Sequence, residues 1–331
     1  MDIAVIGSNM VDLVTYINRM PVEGETVEAP DFKLGCGGKG ANQAVAAAKL
    51  GSEVLMLTRV GNDIFAENTI ENFRRHNIDT RYILKSDASS GVAPIFVDPE
   101  SRNSIIIIKG ANKLLTSADI DAAAEDIKKC KLIVLQLEIP TETVYAAVKF
   151  GEEHGIPVLF NPAPAQPDLV LDQVKSCEFI VPNETELSLL TGMPVDSEDD
   201  IRKAAVALHQ AGVKNVIVTL GSKGVLWLDQ DGKERMFPSF KVKARDTTGA
   251  GDAFIGCFSH VYVKTGDIAK AIETANRYAA DSVTRLGTQT SYCDRSSFIA
   301  QTESGWAQIA QTSYCDRSSF IADHPEQAQN V

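Results

Sequence analysis

The sequence predicts an α/β fold: a mostly parallel central sheet with helices on both faces, plus a small β-sheet lid. Three observations carry this. Short apolar runs alternate with stretches of helical length and periodicity along most of the chain. The runs are apolar at consecutive positions, as strands covered on both faces are. Two segments, about 13–36 and 89–109, break the alternation.

Residues 3–7, 53–60, 132–137, 158–160, 179–181 and 216–220 read as the buried strands, each ending near Gly, Asn, Pro or a charge. Residues 41–50, 66–76, 142–153 and 199–211 read as helices between them. Residues 13–36 hold little helix signal and end in a glycine cluster, and 89–109 reads as two strands, 92–97 and 104–109, around a polar turn. The two insertions together predict a small sheet over one edge of the main domain. Such a sheet serves as a water-excluding flap, as a dimer surface, or as both. The main domain is expected to span 1–292, with a C-terminal helix and a frayed tail over 293–331. Residues 289–300 recur letter for letter at 311–322. A single copy is no solenoid, so a recent duplication with an idle second copy is expected.

Composition narrows the classes of function. The chain has 331 residues, 44% of them hydrophobic, and a net charge of −12. That balance argues against a nucleic-acid or anionic-membrane partner. The six cysteines include no Cys-x-x-Cys pair, so free thiols in a reducing compartment are expected. No signal peptide or membrane-spanning run is read, the strongest apolar stretch being 105–108, and the expected location is the cytoplasm.

Two motifs carry chemistry. In Asp246-Thr247-Thr248-Gly249-Ala250-Gly251-Asp252, small residues open an apolar helix read over 254–263. Amides of Gly249, Ala250 and Gly251 would point at an anion, aided by the helix dipole. Asp252 beside them could take a proton from a hydroxyl attacking phosphorus. The plainer reading is a glycine turn with a first-turn acid. The second motif, Gly35-Cys36-Gly37-Gly38-Lys39-Gly40-Ala41-Asn42-Gln43, lacks the spacing of a Walker loop. Its open backbone, lysine and asparagine suit a polyhydroxylated ligand, or simply a turn into an alanine-rich helix.

With these two motifs in place, the chain is similar to the ribokinase-like sugar kinases, to about residue 292. Further matching pieces stand in family order: Gly7-Ser8 with Asp12, Gln136-Leu137-Glu138, Asn161 to Pro164, Pro182 to Glu186, and Thr219 to Gly224. The resemblance implies an ATP-dependent sugar kinase with Asp252 as catalytic base and Gly249, Ala250 and Gly251 as the anion hole. It implies sugar contacts from Met10, Asp12, Gly38, Lys39, Gly40, Ala41, Asn42 and Glu138. Nucleotide contacts would come from Asn183, Thr219, Leu220, Gly221, Ser222, Lys223, Gly224, Gly251 and Asn276. Glu186 would organise magnesium through water. A potassium site would draw on Asp246, Thr248, Ser282, Arg285, Gly287 and Ser291, several through carbonyls; alternatively Asp246 only caps a turn. A homodimer through the lid is also implied.

One departure bears on the sugar. Ribose-using members carry asparagine two residues before the sugar-binding aspartate, where this chain has Met10. Methionine gives a ribose 2-hydroxyl no useful partner, and an unsatisfied buried hydroxyl costs about 1–3 kcal/mol. The chain therefore resembles the deoxyribose-using branch more than the ribose-using one. In the alternative reading Met10 is a core residue and Asn9 supplies the polar contact. A ribose kinase or another furanose or nucleoside kinase of the same family, and more remotely a non-catalytic sugar sensor, are the competing functions. A dinucleotide oxidoreductase is disfavoured, because Gly7-Ser8-Asn9 is not a Gly-x-Gly-x-x-Gly fingerprint.

Overall fold

Strands enclosed at every position build the centre of the protein. All four residues of Ile3–Ile6 and of Leu132–Leu135 are buried, as are Val158–Phe160 and Phe179–Ile180. Side chains on both faces of such strands must meet helices, which is why their apolar runs are continuous. A computed structural model describes residues 1–100 and 102–304. One unit spans Met1–Tyr292; the helix Arg295–Ser304 belongs to a second unit that begins at Cys293. The second copy of the duplicated segment, 311–322, lies outside the described residues.

The large sheet has nine strands among the described residues. In spatial order they are Glu234–Phe237, Val225–Leu228, Asn215–Thr219, Phe179–Ile180, Val158–Phe160, Leu132–Leu135, Ile3–Ile6, Val54–Val60 and Ile83–Lys85. Val225–Leu228 pairs antiparallel with both of its neighbours, Glu234–Phe237 and Asn215–Thr219, and all later pairs are parallel. The helices Lys39–Lys49, Ala250–Thr265 and Ile268–Ser282 pack as one group near Ile3–Ile6. Ser117–Ile127, Thr141–His154, Glu184–Thr191 and Glu198–Gln210 form the other. Their residues Ile120, Val144, Leu187 and Ile201 share one core with the alternate strand residues Ala4, Ile6, Leu55, Leu57, Ile133 and Leu135. No residue of the first group belongs to that core, so the two groups cover opposite faces.

The second sheet has the order Asp31–Gly37, Met10–Tyr16, Val92–Val97, Asn103–Ile105. It starts at Met10 rather than at residue 13, with only three residues between it and the end of Ile3–Ile6. Asp12 therefore stands at the root of the lid. The strand read over 104–109 is shorter, Asn103–Ile105. Beyond it Ile106 N–H still donates to Pro94 O and Ile108 N–H to Val92 O, but Pro94 has no N–H to return a bond. The helix read over 254–263 begins earlier, at Ala250, because Gly249 at φ 74° caps it. Phe32, Leu34, Ile105 and Ile107 of the lid region remain about half exposed, at 56, 49, 48 and 47%. Among the described residues no helix is long and apolar enough to cross a membrane.

Candidate active site

The glycines of the Asp246–Asp252 motif do separate jobs. Gly249 takes the left-handed conformation, and a Cβ there would stand 2.3 Å from Thr288 Cγ2 and 2.7 Å from Tyr292 Oη. Backbone and packing both require glycine. Tyr292 Oη donates to Gly249 O at 2.9 Å, pinning the turn. A Cβ on Gly251 would meet nothing within 4 Å, so that side of the turn is open. N–H groups of a first helical turn lack intrahelical partners and carry the positive end of the dipole. Asp252 lies in this turn and is 5% exposed.

Neutral amides hold the Asp252 carboxylate. Asn42 Nδ2 donates to Oδ2 and Gln43 Nε2 to Oδ1, both at 2.9 Å. These donors sit on Lys39–Lys49, brought close by a second glycine in the partner helix. A Cβ on Gly256 would lie 2.4 Å from Ala46 Cβ and 2.6 Å from Gln43 O. The absent side chain lets the two helices approach closely, one turn beyond Asp252. Gly38, at φ 88° with Met10 N 2.7 Å from where its Cβ would stand, turns the lid strand into that helix.

Three carboxylates and one ammonium share this corner. Glu138, buried at 6% exposure, accepts from Ser8 Oγ and, at 2.8 Å, from Lys39 N–H. Asp12 is pushed up to about 6, by burial first and then by the charges of Glu138 and Asp252. Burial works against the Lys39 ammonium, but the carboxylates of Asp252, Glu138 and Glu186 outweigh it and raise its pKa. Lys39 thus stands in the field of both the Asp252 side and the Glu186 side. Gly40 and Ala41 play a different part: their N–H groups donate to Ser8 Oγ and Ser8 O at 3.3 and 2.8 Å, so they seat the helix rather than face a ligand.

Met10 and Asp12 are two residues apart on one strand and point to the same face. Met10 is 3% exposed, its sulfur 3.9 Å from Asn112 Nδ2. Asn9 points elsewhere: its Nδ2 donates to Thr58 Oγ1 and to Arg59 O, both at 2.8 Å. The Asn9 amide nitrogen is thus engaged away from Asp12, while Met10 itself belongs to the buried core.

The remaining residues fall into two groups. Asn183 caps Glu184–Thr191, and the Glu186 carboxylate accepts from its N–H at 2.9 Å and its Nδ2 at 3.0 Å. Burial raises the Glu186 pKa despite the Asn183 N–H and the Lys39 charge. Thr219 bridges to Asn183, Leu220 is buried, and Gly221, Ser222 and Lys223 form an exposed turn. Gly224, whose Cβ would be 2.0 Å from Phe237 O, lies against the segment whose Pro238 O accepts from Asn276 Nδ2 at 2.9 Å. Among the described residues no three His, Cys, Asp or Glu side chains form a metal cage. A lone buried carboxylate fits a magnesium ion that arrives on nucleotide phosphates and keeps its waters.

Asp246 Oδ1 accepts from Thr248 N–H and Oδ2 from Gly287 N–H, each at 2.9 Å. Burial opposes its charge, but these bonds outweigh burial and lower its pKa. Ser282 O accepts from Arg285 N–H, and Ser291 O from Arg285 Nε. Ser291 Oγ donates to Thr288 O at 2.7 Å, which keeps its lone pairs for a cation where its carbonyl is already engaged. Both Asp246 carboxylate oxygens and the Ser282 and Ser291 carbonyls thus already accept from Thr248, Gly287 and Arg285. Asp12, Asp246, Thr248, Gly287 and Gln289 line a single cleft of about 790 Å³ beneath the lid.

Sequence reasoning missed Gln43, Tyr292 and Gln289, which hold the Asp252 carboxylate, the Gly249 turn and the Asn42 amide. Gln43 lies in the second motif and was available as a donor one residue beyond Asn42. Tyr292 and Gln289 are distant in sequence, and only the fold returns them to residues 42 and 249.

The chain is matched over residues 1–295 by the pfkB family carbohydrate kinase pattern. A deoxyribokinase of Salmonella typhimurium is 64% identical over 293 residues, covering 88% of this chain and 95% of its own length. A mouse ribokinase is 39% identical, covering 88% of this chain and 91% of its own. The structure of Arabidopsis thaliana ribokinase with ribose and ATP superposes with a TM-score of 0.85 at 31% identity, covering 90% of this chain and 97% of that one.

Proposed function

The chain belongs to the pfkB family of carbohydrate kinases, and from that premise we propose that it is a deoxyribokinase, transferring the γ-phosphoryl group of ATP to the 5-hydroxyl of 2-deoxy-D-ribose. The observation that carries the reading is the Asp252 carboxylate, held by Asn42 and Gln43 in the first turn of Ala250–Thr265. Asp12, Lys39, Asn42 and Glu138 bind the sugar. Asp252 accepts the 5-hydroxyl proton while that oxygen bonds to phosphorus, and the bond from phosphorus to the β-phosphate oxygen breaks to release ADP. The Gly249–Gly251 amides receive charge on the phosphoryl oxygens. Asn183, the Thr219–Gly224 turn and Asn276 hold the nucleotide. Glu186 would help to hold a magnesium ion, which would supply positive charge to the phosphates. Asp246, Thr248 and the 282–291 segment hold a potassium ion whose charge fixes the anion-hole loop when bound. The half-exposed apolar positions of the lid suit a homodimer, and the enzyme is cytoplasmic.

The likeness to the Salmonella protein supports deoxyribose, and Met10 gives the physical reason. Its buried thioether, on the face it shares with Asp12, offers no hydrogen bond to a 2-hydroxyl. Coupled ADP-release assays with deoxyribose, ribose, fructose and adenosine test the assignment, in the wild type and in Met10→Asn. The wild type should prefer deoxyribose, and the variant should shift the ratio toward ribose by about 5- to 100-fold, the worth of one buried hydroxyl. An unchanged ratio would remove Met10 as the discriminator; a wild type that prefers ribose would remove the substrate.

A further inference from the structure

Buried amides run into Asp252 from two directions, and their donor–acceptor sense is set at the carboxylate. An ionised carboxylate only accepts, so Asn42 must present its NH2. Asn42 Oδ1 is then an acceptor and takes Gln289 Nε2 at 2.9 Å. Gln289 Oε1 in turn takes Asn72 Nδ2 at 2.8 Å. On the other side Gln43 Oε1 accepts from Gln136 Nε2 at 2.7 Å, and Gln136 Oε1 is buried with no protein partner among the described residues. Gln289 is 6% exposed, and Lys49 Nζ fixes its backbone by donating to Gln289 O at 2.8 Å.

From this we infer that Gln289 is a positioning residue for the reaction: through Asn42 it keeps a hydrogen-bond donor aimed at the base. The inference rests on Asp252 being that base. A glutamine side chain serves because it donates at one end and accepts at the other, which passes the sense set by the carboxylate out to Asn72 at the cleft wall. Gln289 also lies between Gly287 and Ser291, so the loop that closes the anion-hole turn and the amide that orients the base are one segment of chain.

Gln289→Glu keeps the size of the side chain and removes its donors. Asn42 must then turn its NH2 to residue 289 and its oxygen toward Asp252. A carboxylate facing an acceptor ionises less readily, and the charge added at residue 289 acts in the same direction, so the acid limb of the kcat–pH profile moves up in this variant from both causes. At its plateau kcat falls about 10- to 100-fold, with KM for ATP within about twofold. Asp12, Lys39, Glu186 and the Tyr292 phenol share the field of Asp252, and Glu138 shares that of Asp12 and Lys39. Saturating sugar covers Asp12 and keeps its titration out of the kcat profile.

Asn72→Leu, at a half-buried helix position, cuts the outer link and should move the limb the same way by less, which keeps the test open if Gln289→Glu folds poorly. A limb at its wild-type pH in Asn72→Leu overturns the relay, even if kcat falls, because lost packing alone gives that result and a shift confined to Gln289→Glu is the added charge acting through space. If Asp252→Asn retains turnover, it is the base assignment that fails; if Asp252→Asn is inactive and the limb is unmoved, only the relay fails.

Discussion

Replacing Asp12 by asparagine should stabilise the ligand-free protein while abolishing its use of sugar. Asp12 is largely buried, and burial followed by the charges of Glu138 and Asp252 lifts its pKa from 3.8 to about 6. At about 1.4 kcal/mol per unit, the ionised form costs the fold roughly 3 kcal/mol. The sign follows from linkage: the folded value lies above the unfolded one, so the cost is complete above the folded pKa and fades as pH falls toward 3.8. At pH 8 Asp12→Asn gains the whole amount; at pH 4.5 about 1 kcal/mol remains. For a chain of this size, at roughly 2 °C per kcal/mol, the melting temperature rises by about 6 °C at pH 8 and by about 2 °C at pH 4.5. Thermal unfolding at both pH values, with calorimetric titration of deoxyribose, is the assay. A variant less stable than wild type at pH 8, or one with an equal gain at both pH values, would refute the reasoning.

Two other perturbations test the packing and the lid. Gly256→Ala forces Cβ toward Ala46 and Gln43 O, and overpacking of this kind costs about 1–3 kcal/mol; the spread helices should also lower kcat about tenfold by stretching the Asn42 and Gln43 bonds to Asp252, so a loss of stability with unchanged kcat would show that the base tolerates the shift. If the lid carries the proposed homodimer, the wild type sediments as a dimer at micromolar concentration in analytical ultracentrifugation and Leu34→Lys with Ile105→Lys sediments as a monomer; a monomeric wild type would contradict the proposal.

The main sheet was legible because its strands carry unbroken apolar runs. Residues 158–160 were placed to the residue and 3–7 and 132–137 to within two, since burial on both faces leaves no competing pattern. The lid was legible as an interruption, but its root was not. Met10 and Val11 are as apolar as the strand before them, and only the pairing of Met10 with Gly37 shows that they have left the core sheet. In the candidate site, the two glycine motifs led to the Asp252 carboxylate and to the amides proposed as the anion hole, because close approach at Gly38, Gly249 and Gly256 requires small residues. What could not be read was support from afar. Gln289 and Tyr292 reach Asn42 and Gly249 across more than 240 and 40 residues respectively, and no local periodicity records such contacts. Gly256, too, reads as an ordinary helix glycine until Ala46 is placed against it.

The most direct test of the central claim is the Asp252→Asn variant, followed by deoxyribose titration and by single-turnover phosphoryl transfer from ATP. Loss of the proton acceptor with the amide cradle largely intact predicts sugar affinity within a few-fold of wild type and turnover lower by about 10²–10⁴. Phosphoryl transfer at near wild-type rate in this variant would show that the proton leaves the 5-hydroxyl by another route, and the site assembled around residue 252 would need a different chemistry.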